Sequence, residues 1–115
     1  MNKLKHTIPS IIWQQIGANK FYAMTGGYPI KEGFSTLLIG GIMKNKAKIN
    51  QVRITLQSND LYEVAFIKYK GPKIDYKNFE FIDERHEIIK QFNDVYCHEL
   101  QRLFTNFTGL YTKLF

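Results

Sequence analysis

Two stretches of alternating side chains, joined by a short polar turn, constrain this chain most. In residues 50–57, Val52, Ile54 and Leu56 alternate with Arg53, Thr55 and Gln57, the period-two pattern of a strand with one face buried. In residues 61–70, Tyr62, Val64, Phe66 and Lys68 alternate against Glu63, Ala65, Ile67 and Tyr69. Both of those sets are largely apolar, which places the second strand centrally and covered on both sides. Ser58-Asn59-Asp60 is a turn sequence, so the pair reads as an antiparallel hairpin.

The flanking segments extend this sheet. Residues 19–24, ended by Thr25-Gly26-Gly27, and residues 35–42 read as two further strands, with Gly40-Gly41 marking a bulge or a close backbone approach. Before them, residues 8–16 read as a short helix. Thr7 suits the N-cap, Pro9 the first turn and Gly17 the C′ position, with Ile8, Ile11, Ile12 and Ile16 on one stripe. Gly71-Pro72 ends the sheet, and residues 73–81 are an edge strand or a wrapping loop. Ile88, Ile89, Phe92, Tyr96, Leu100, Leu103 and Phe107 then recur at three- and four-residue spacing, predicting a long helix over 83–107 that Gly109 stops.

The expected architecture is therefore α+β. A four-stranded, or five-stranded, antiparallel sheet carries a short N-terminal helix and a long C-terminal helix on one face. A chain of 115 residues with 44% apolar and 15% aromatic content makes one folded domain, residues 1–115. The single cysteine, Cys97, forms no internal disulfide, and no unbroken apolar run follows the charged start. A cytoplasmic protein with no membrane contact is the expectation, and Asn106-Phe107-Thr108 is then no glycosylation site.

Charge is unevenly placed. Residues 1–53 hold eight Lys or Arg against one acid, Glu32, while residues 74–115 hold five basic and seven acidic residues. A basic half suggests an anionic partner. Lys44, Lys46 and Lys48 crowd one loop, where they reach phosphates or simply form a solvated tip. Arg53 on the polar face of the next strand extends that patch, with Lys20 and Lys68 as neighbours. Tyr22 and Tyr69, flanked by lysines, are the aromatics best placed to stack on bases; otherwise they are ordinary strand aromatics.

Chemistry-bearing patterns are absent or incomplete. His86-Glu87 opens a zinc-protease helix motif but meets Lys90 where the second ligand belongs, and His98-Glu99 meets Arg102. Cys97 and His98 are neighbours on the predicted helix and do not face each other, so Cys97 reads as a packed side chain. The glycine pairs match no phosphate loop. No catalysis, metal or cofactor is expected. The apolar end, Leu110, Tyr111, Leu114 and Phe115, either seals the sheet or makes a homodimer contact.

The blocks WQQIGANKFYAMTGG, VRITLQSND, LYEVAF and TGLYTKL, at 13–27, 52–60, 61–66 and 108–114, together resemble a group of small proteins of phages and bacterial mobile elements. The resemblance implies an accessory role in bacterial cytoplasm and supplies no catalytic residues. Two readings follow: a non-catalytic binder of single-stranded nucleic acid, or a protein-interaction module that docks on an acidic host or defence protein.

Overall fold

The computed structural model describes residues 7–112. Helix α1 spans Ile8–Ile16 and is capped as its sequence requires. The Thr7 hydroxyl accepts the Ser10 N–H at 3.2 Å, Pro9 lies in the first turn, and Gly17 closes the helix at φ +127°. Ile12 and Ile16 are fully buried, while Ile11 lies at the stripe's exposed edge.

The chain turns at Gly17 straight into a second helix, α2, Ala18–Thr25. The strand expected over 19–24 is thus corrected. Phe21 and Thr25, four apart, are the residues this segment buries, and that spacing belongs to a helix. The Thr25 hydroxyl bonds back to the Phe21 carbonyl at 2.8 Å, and Gly26, left-handed at φ +80°, ends the helix on the Tyr22 carbonyl.

Five strands then build one antiparallel sheet in the order β1-β2-β3-β4-β7. These are β1 Tyr28–Glu32, β2 Thr36–Gly40, β3 Gln51–Leu56, β4 Tyr62–Lys70 and β7 Arg85–Val95. The hairpin of β3 and β4 is present as its alternation predicts: Val52 opposes Phe66, Ile54 opposes Val64, and Asn59 accepts the Leu61 N–H within the turn. Gly40 and Gly41 mark a close approach, since a Cβ at Gly40 would lie 2.8 Å from Ile30 Cδ1.

The sheet does not end at Gly71-Pro72. Residues 73–75 and 80–82 form a separate two-stranded arm, β5 Lys73–Asp75 and β6 Glu80–Ile82. The chain then returns as β7 along the free edge of β4, so the long helix over 83–107 is corrected. Ile88 and Ile89, which supplied its helical spacing, are about half exposed; only Phe92 and Val95 of β7 reach the core. Pairing along β4 outweighed the local helical pattern. A one-turn 3-10 segment, Cys97–Glu99, leads into α3, Leu100–Thr108, which Gly109 ends at φ +82°. Cys97 is exposed there and not packed.

The core lies on one face. Leu37, Ile39, Val52, Ile54, Val64 and Phe66 point from the sheet toward Ile12, Ile16, Phe21, Leu100 and Phe104 of the three helices. Phe21 meets Phe104 with ring centres 4.8 Å apart, and Phe66 meets Phe107 at 4.4 Å. Leu110 packs against this core and Thr112 is buried with its hydroxyl donating to Gln101 Oε1 at 2.9 Å, whereas Tyr111 is 65% exposed, so the apolar end seals the core only in part. Leu114 and Phe115 lie outside the described residues. None of the described helices is long and apolar enough to cross a membrane.

Candidate nucleic-acid interface

The helices cover one side of the sheet and leave the other open. Register aligns Lys31, Leu38, Arg53, Ala65 and Gln91 across the five strands, with Gln51, Ile67 and Ile88 forming the neighbouring row. This face is concave. A groove of about 520 Å³ runs over Leu38, Ile67 and Ile88, rimmed by Lys31, Arg53 and His86. Ala65 and Ile67 are buried although the three helices pack on the other face.

The polar groups of the groove are not mutually satisfied. Among the described residues the one ion pair is Arg102 with Glu99 at 3.4 Å, so no described carboxylate reaches Lys31 or Arg53. The Gln51 side chain is only 6% exposed, yet its amide oxygen has no hydrogen-bond partner. A buried amide oxygen left unpaired is unusual and costly.

At one end of the groove Tyr69 stands beside His86, with ring centres 4.9 Å apart. Its backbone is held by the Asn50 side chain, which accepts the Tyr69 N–H at 2.8 Å and donates to the Tyr69 carbonyl at 2.9 Å. The Tyr69 hydroxyl donates to Glu84 at 2.9 Å, and this bond to a carboxylate pushes the phenol above its ordinary pKa.

The structure separates the residues that sequence reasoning grouped. Arg53 and Tyr69 share the open face. Lys68 alternates onto the opposite side, with Val64 and Phe66. Lys20 and Tyr22 stand on α2, not on a strand, so Lys20 is no strand neighbour of Arg53; Tyr22 is half exposed and meets Tyr28 edge-on at 6.3 Å.

The lysine loop is built around Asn45. Its amide donates to Met43 O at 2.8 Å and to Ile49 O at 2.7 Å, while its oxygen accepts the Ala47 N–H. Lys46 donates its backbone N–H to Thr108 O and lays its stem beside Gly109, at the carbonyl end of α3 where a cation is favoured. Lys44, Lys46 and Lys48 are all exposed. The loop thus sits at the helix-covered side of the sheet end, two residues before the Asn50 that holds Tyr69.

Lys31, His86 and Gln51 were missed from the sequence. Gln51 was recoverable, because it precedes Arg53 by two on an alternating strand. Lys31 and His86 reach the groove only through the registers of β1 and β7. Comparison with protein-family models, with curated proteins and with solved structures finds no match.

Proposed function

We propose that the chain binds single-stranded nucleic acid on the open face of its sheet and catalyses no reaction. One observation carries this reading: Lys31 and Arg53, free of described carboxylate partners, flank an apolar groove with the Tyr69 and His86 rings at its end. Cations that follow the backbone beside flat apolar surfaces for bases are what a sequence-tolerant single-strand binder needs. Lys44, Lys46 and Lys48 add positive charge from the loop at the helix-covered side of the sheet end, and Lys68 adds charge from that same side. Work within a phage or mobile element, in bacterial cytoplasm, follows from the resemblance of the sequence blocks.

Fluorescence anisotropy of a labelled single strand across a salt series tests this, with duplex as competitor. Binding should fall with salt and prefer the single strand. Replacing Lys31 and Arg53 together by Glu should abolish it while circular dichroism stays unchanged. Failure of the wild-type protein to bind at ~100 mM salt would overturn the reading.

A second reading, a module that contacts a host or defence protein, is favoured by the arm. Ile74, Tyr76, Phe79 and Phe81 all face solvent there, Phe79 at 89% exposure. Large exposed apolar groups clustered on one projection mark a protein contact. Replacing Phe79 and Phe81 by Ser should then release a nuclease-resistant protein partner, or dissociate a homodimer in sedimentation, without changing the fold.

A further inference from the structure

Within that nucleic-acid reading, on which this inference rests, we infer that the groove seats a single nucleotide. Its base lies on Leu38, Ile67 and Ile88 with an edge toward the Gln51 amide, and its phosphate meets Arg53 and Lys31. The groove's volume, about 520 Å³, falls in the range of sites that enclose one small ligand. The floor is apolar, as a base face requires.

The polar groups are arranged for a base edge and an anion at a fixed separation. Gln51 and Arg53 are two residues apart on one face of β3, about 7 Å along the strand. That is the scale on which a sugar separates a base from its phosphate. Lys31 flanks Leu38 from the other side, in register with Arg53, so two cations converge on one end of the groove.

The orphaned Gln51 oxygen points to the same ligand. A primary amide offers an acceptor and a donor side by side, and base edges present the complementary pair. The Gln51 oxygen is itself buried, so it meets a base edge when the amide turns about its terminal torsion toward the groove that Gln51 lines. A purely apolar anion would leave that amide unmatched, and inorganic phosphate would leave the floor uncovered. A nucleotide uses all three features.

The experiment follows the Gln51 side-chain amide in nitrogen-edited NMR of the intact chain, assigned by its loss in Gln51→Leu. Titrants are adenosine and cytidine monophosphate, a short single strand and inorganic phosphate. Nucleotides should move the Gln51 signals, and inorganic phosphate should not. In anisotropy, Gln51→Leu should weaken the single strand about tenfold at unchanged salt slope. Arg53→Ala should instead lower the slope by about 0.7.

If single strands bind with the expected salt slope but the Gln51 signals stay still, the nucleotide seat is overturned and the open-face reading stands. If mononucleotides move those signals and no strand binds, the seat holds a free nucleotide and the strand-binding reading falls. Equal shifts with inorganic phosphate would reduce the groove to an anion site and overturn the inference. The wild-type titration decides this even if Gln51→Leu fails to fold.

Discussion

Gly27 is where helix α2 hands the chain to the sheet, and a methyl group added there tests how that junction packs. Gly27 is not in the left-handed region, so Ala meets no backbone strain. Its Cβ would instead lie 2.7 Å from Phe21 Cε2 and 3.1 Å from both Ile39 Cγ2 and Ile42 Cγ1. All three side chains are buried, and the Phe21 ring is wedged between Trp13 and Phe104 at centre distances of 5.9 and 4.8 Å. It has nowhere to swing. Overpacking of this kind costs about 1–3 kcal/mol, and three simultaneous contacts argue for about 2. Phe21→Leu alone loses buried area and two edge-on ring contacts, again about 2 kcal/mol. In the double variant the methyl group enters space that the ring has left. The summed loss should then be about 2 kcal/mol instead of about 4, a coupling of about 2. Urea unfolding of the four proteins, followed by circular dichroism at constant m-value, reads this directly. Gly41→Ala serves as the control: its Cβ meets the half-exposed Tyr28 ring, which can move, and the Gly26 carbonyl at 3.3 Å, so its cost comes from φ +74° and that backbone contact and should add to that of Phe21→Leu. Additive losses for Gly27→Ala and Phe21→Leu would refute the packing of α2 against this junction.

Three further outcomes are expected. Tyr62→Phe should cost about 1 kcal/mol by removing the hydroxyl that donates to Gln15 Oε1 and ties β4 to α1 at 2.6 Å. Burial pushes the Tyr62 phenol above its ordinary pKa, so the unfolded chain ionises first; stability should fall as pH rises past about 10, and less in Tyr62→Phe. In the arm, hydrogen bonds from the Asn78 side chain and backbone hold the Asp75 carboxyl below its usual value. The turn should therefore persist at neutral pH and loosen only as pH drops below about 4, seen as loss of amide protection at Lys77 and Asn78. Asn45→Ala should open the lysine loop, with trypsin cutting after Lys44, Lys46 or Lys48 at least tenfold faster than in wild type and global stability falling by about 1–2 kcal/mol.

What the sequence disclosed depended on how local each determinant was. The hairpin of β3 and β4 and the caps of α1 are set by residues a few positions apart, and both formed as read. The α2 segment has Ala18, Lys20, Ala23 and Met24 among its eight residues, good helix formers, but its aromatic pair Phe21-Tyr22 also suits a strand. Only the burial of Phe21 and Thr25 on one side decides for the helix. For β7 the misleading signal was Ile88 and Ile89, whose spacing with Phe92 matches a helix although neither isoleucine enters the core. Their exposure is a tertiary fact, invisible to periodicity. The site divides in the same way. Alternation alone puts Arg53 with Gln51 on β3, and parts Tyr69 from Lys68 on β4. That Lys31 and His86 join Arg53 depends on edge strands whose register no local pattern fixed.

The sheet's edges explain why its face is the surface on offer. At β1, Pro29 has no N–H to donate, and Ile30 bulges out between the pairs Pro29–Ile39 and Lys31–Leu38. At β7 an extra residue interrupts the ladder twice, at Ile89 and again near Asp94, which adopts φ +56°. The second irregularity is pinned: Asp94 donates its N–H to Gln57 Oε1 and accepts from Asn59 at the hairpin turn. Bulged edges resist the addition of a foreign strand. With both edges blunted and one face under helices, the five-stranded sheet itself offers its open face, apart from the exposed arm. On that face Lys31 and Arg53 have no described carboxylate within ion-pair distance, while Glu84 bonds Tyr69 at the groove's end, Glu87 opposes Lys68 across β4 and β7, and Glu99 holds Arg102. Helices, edge bulges and unpaired cations thus leave the same groove as the place where an anionic partner is least opposed.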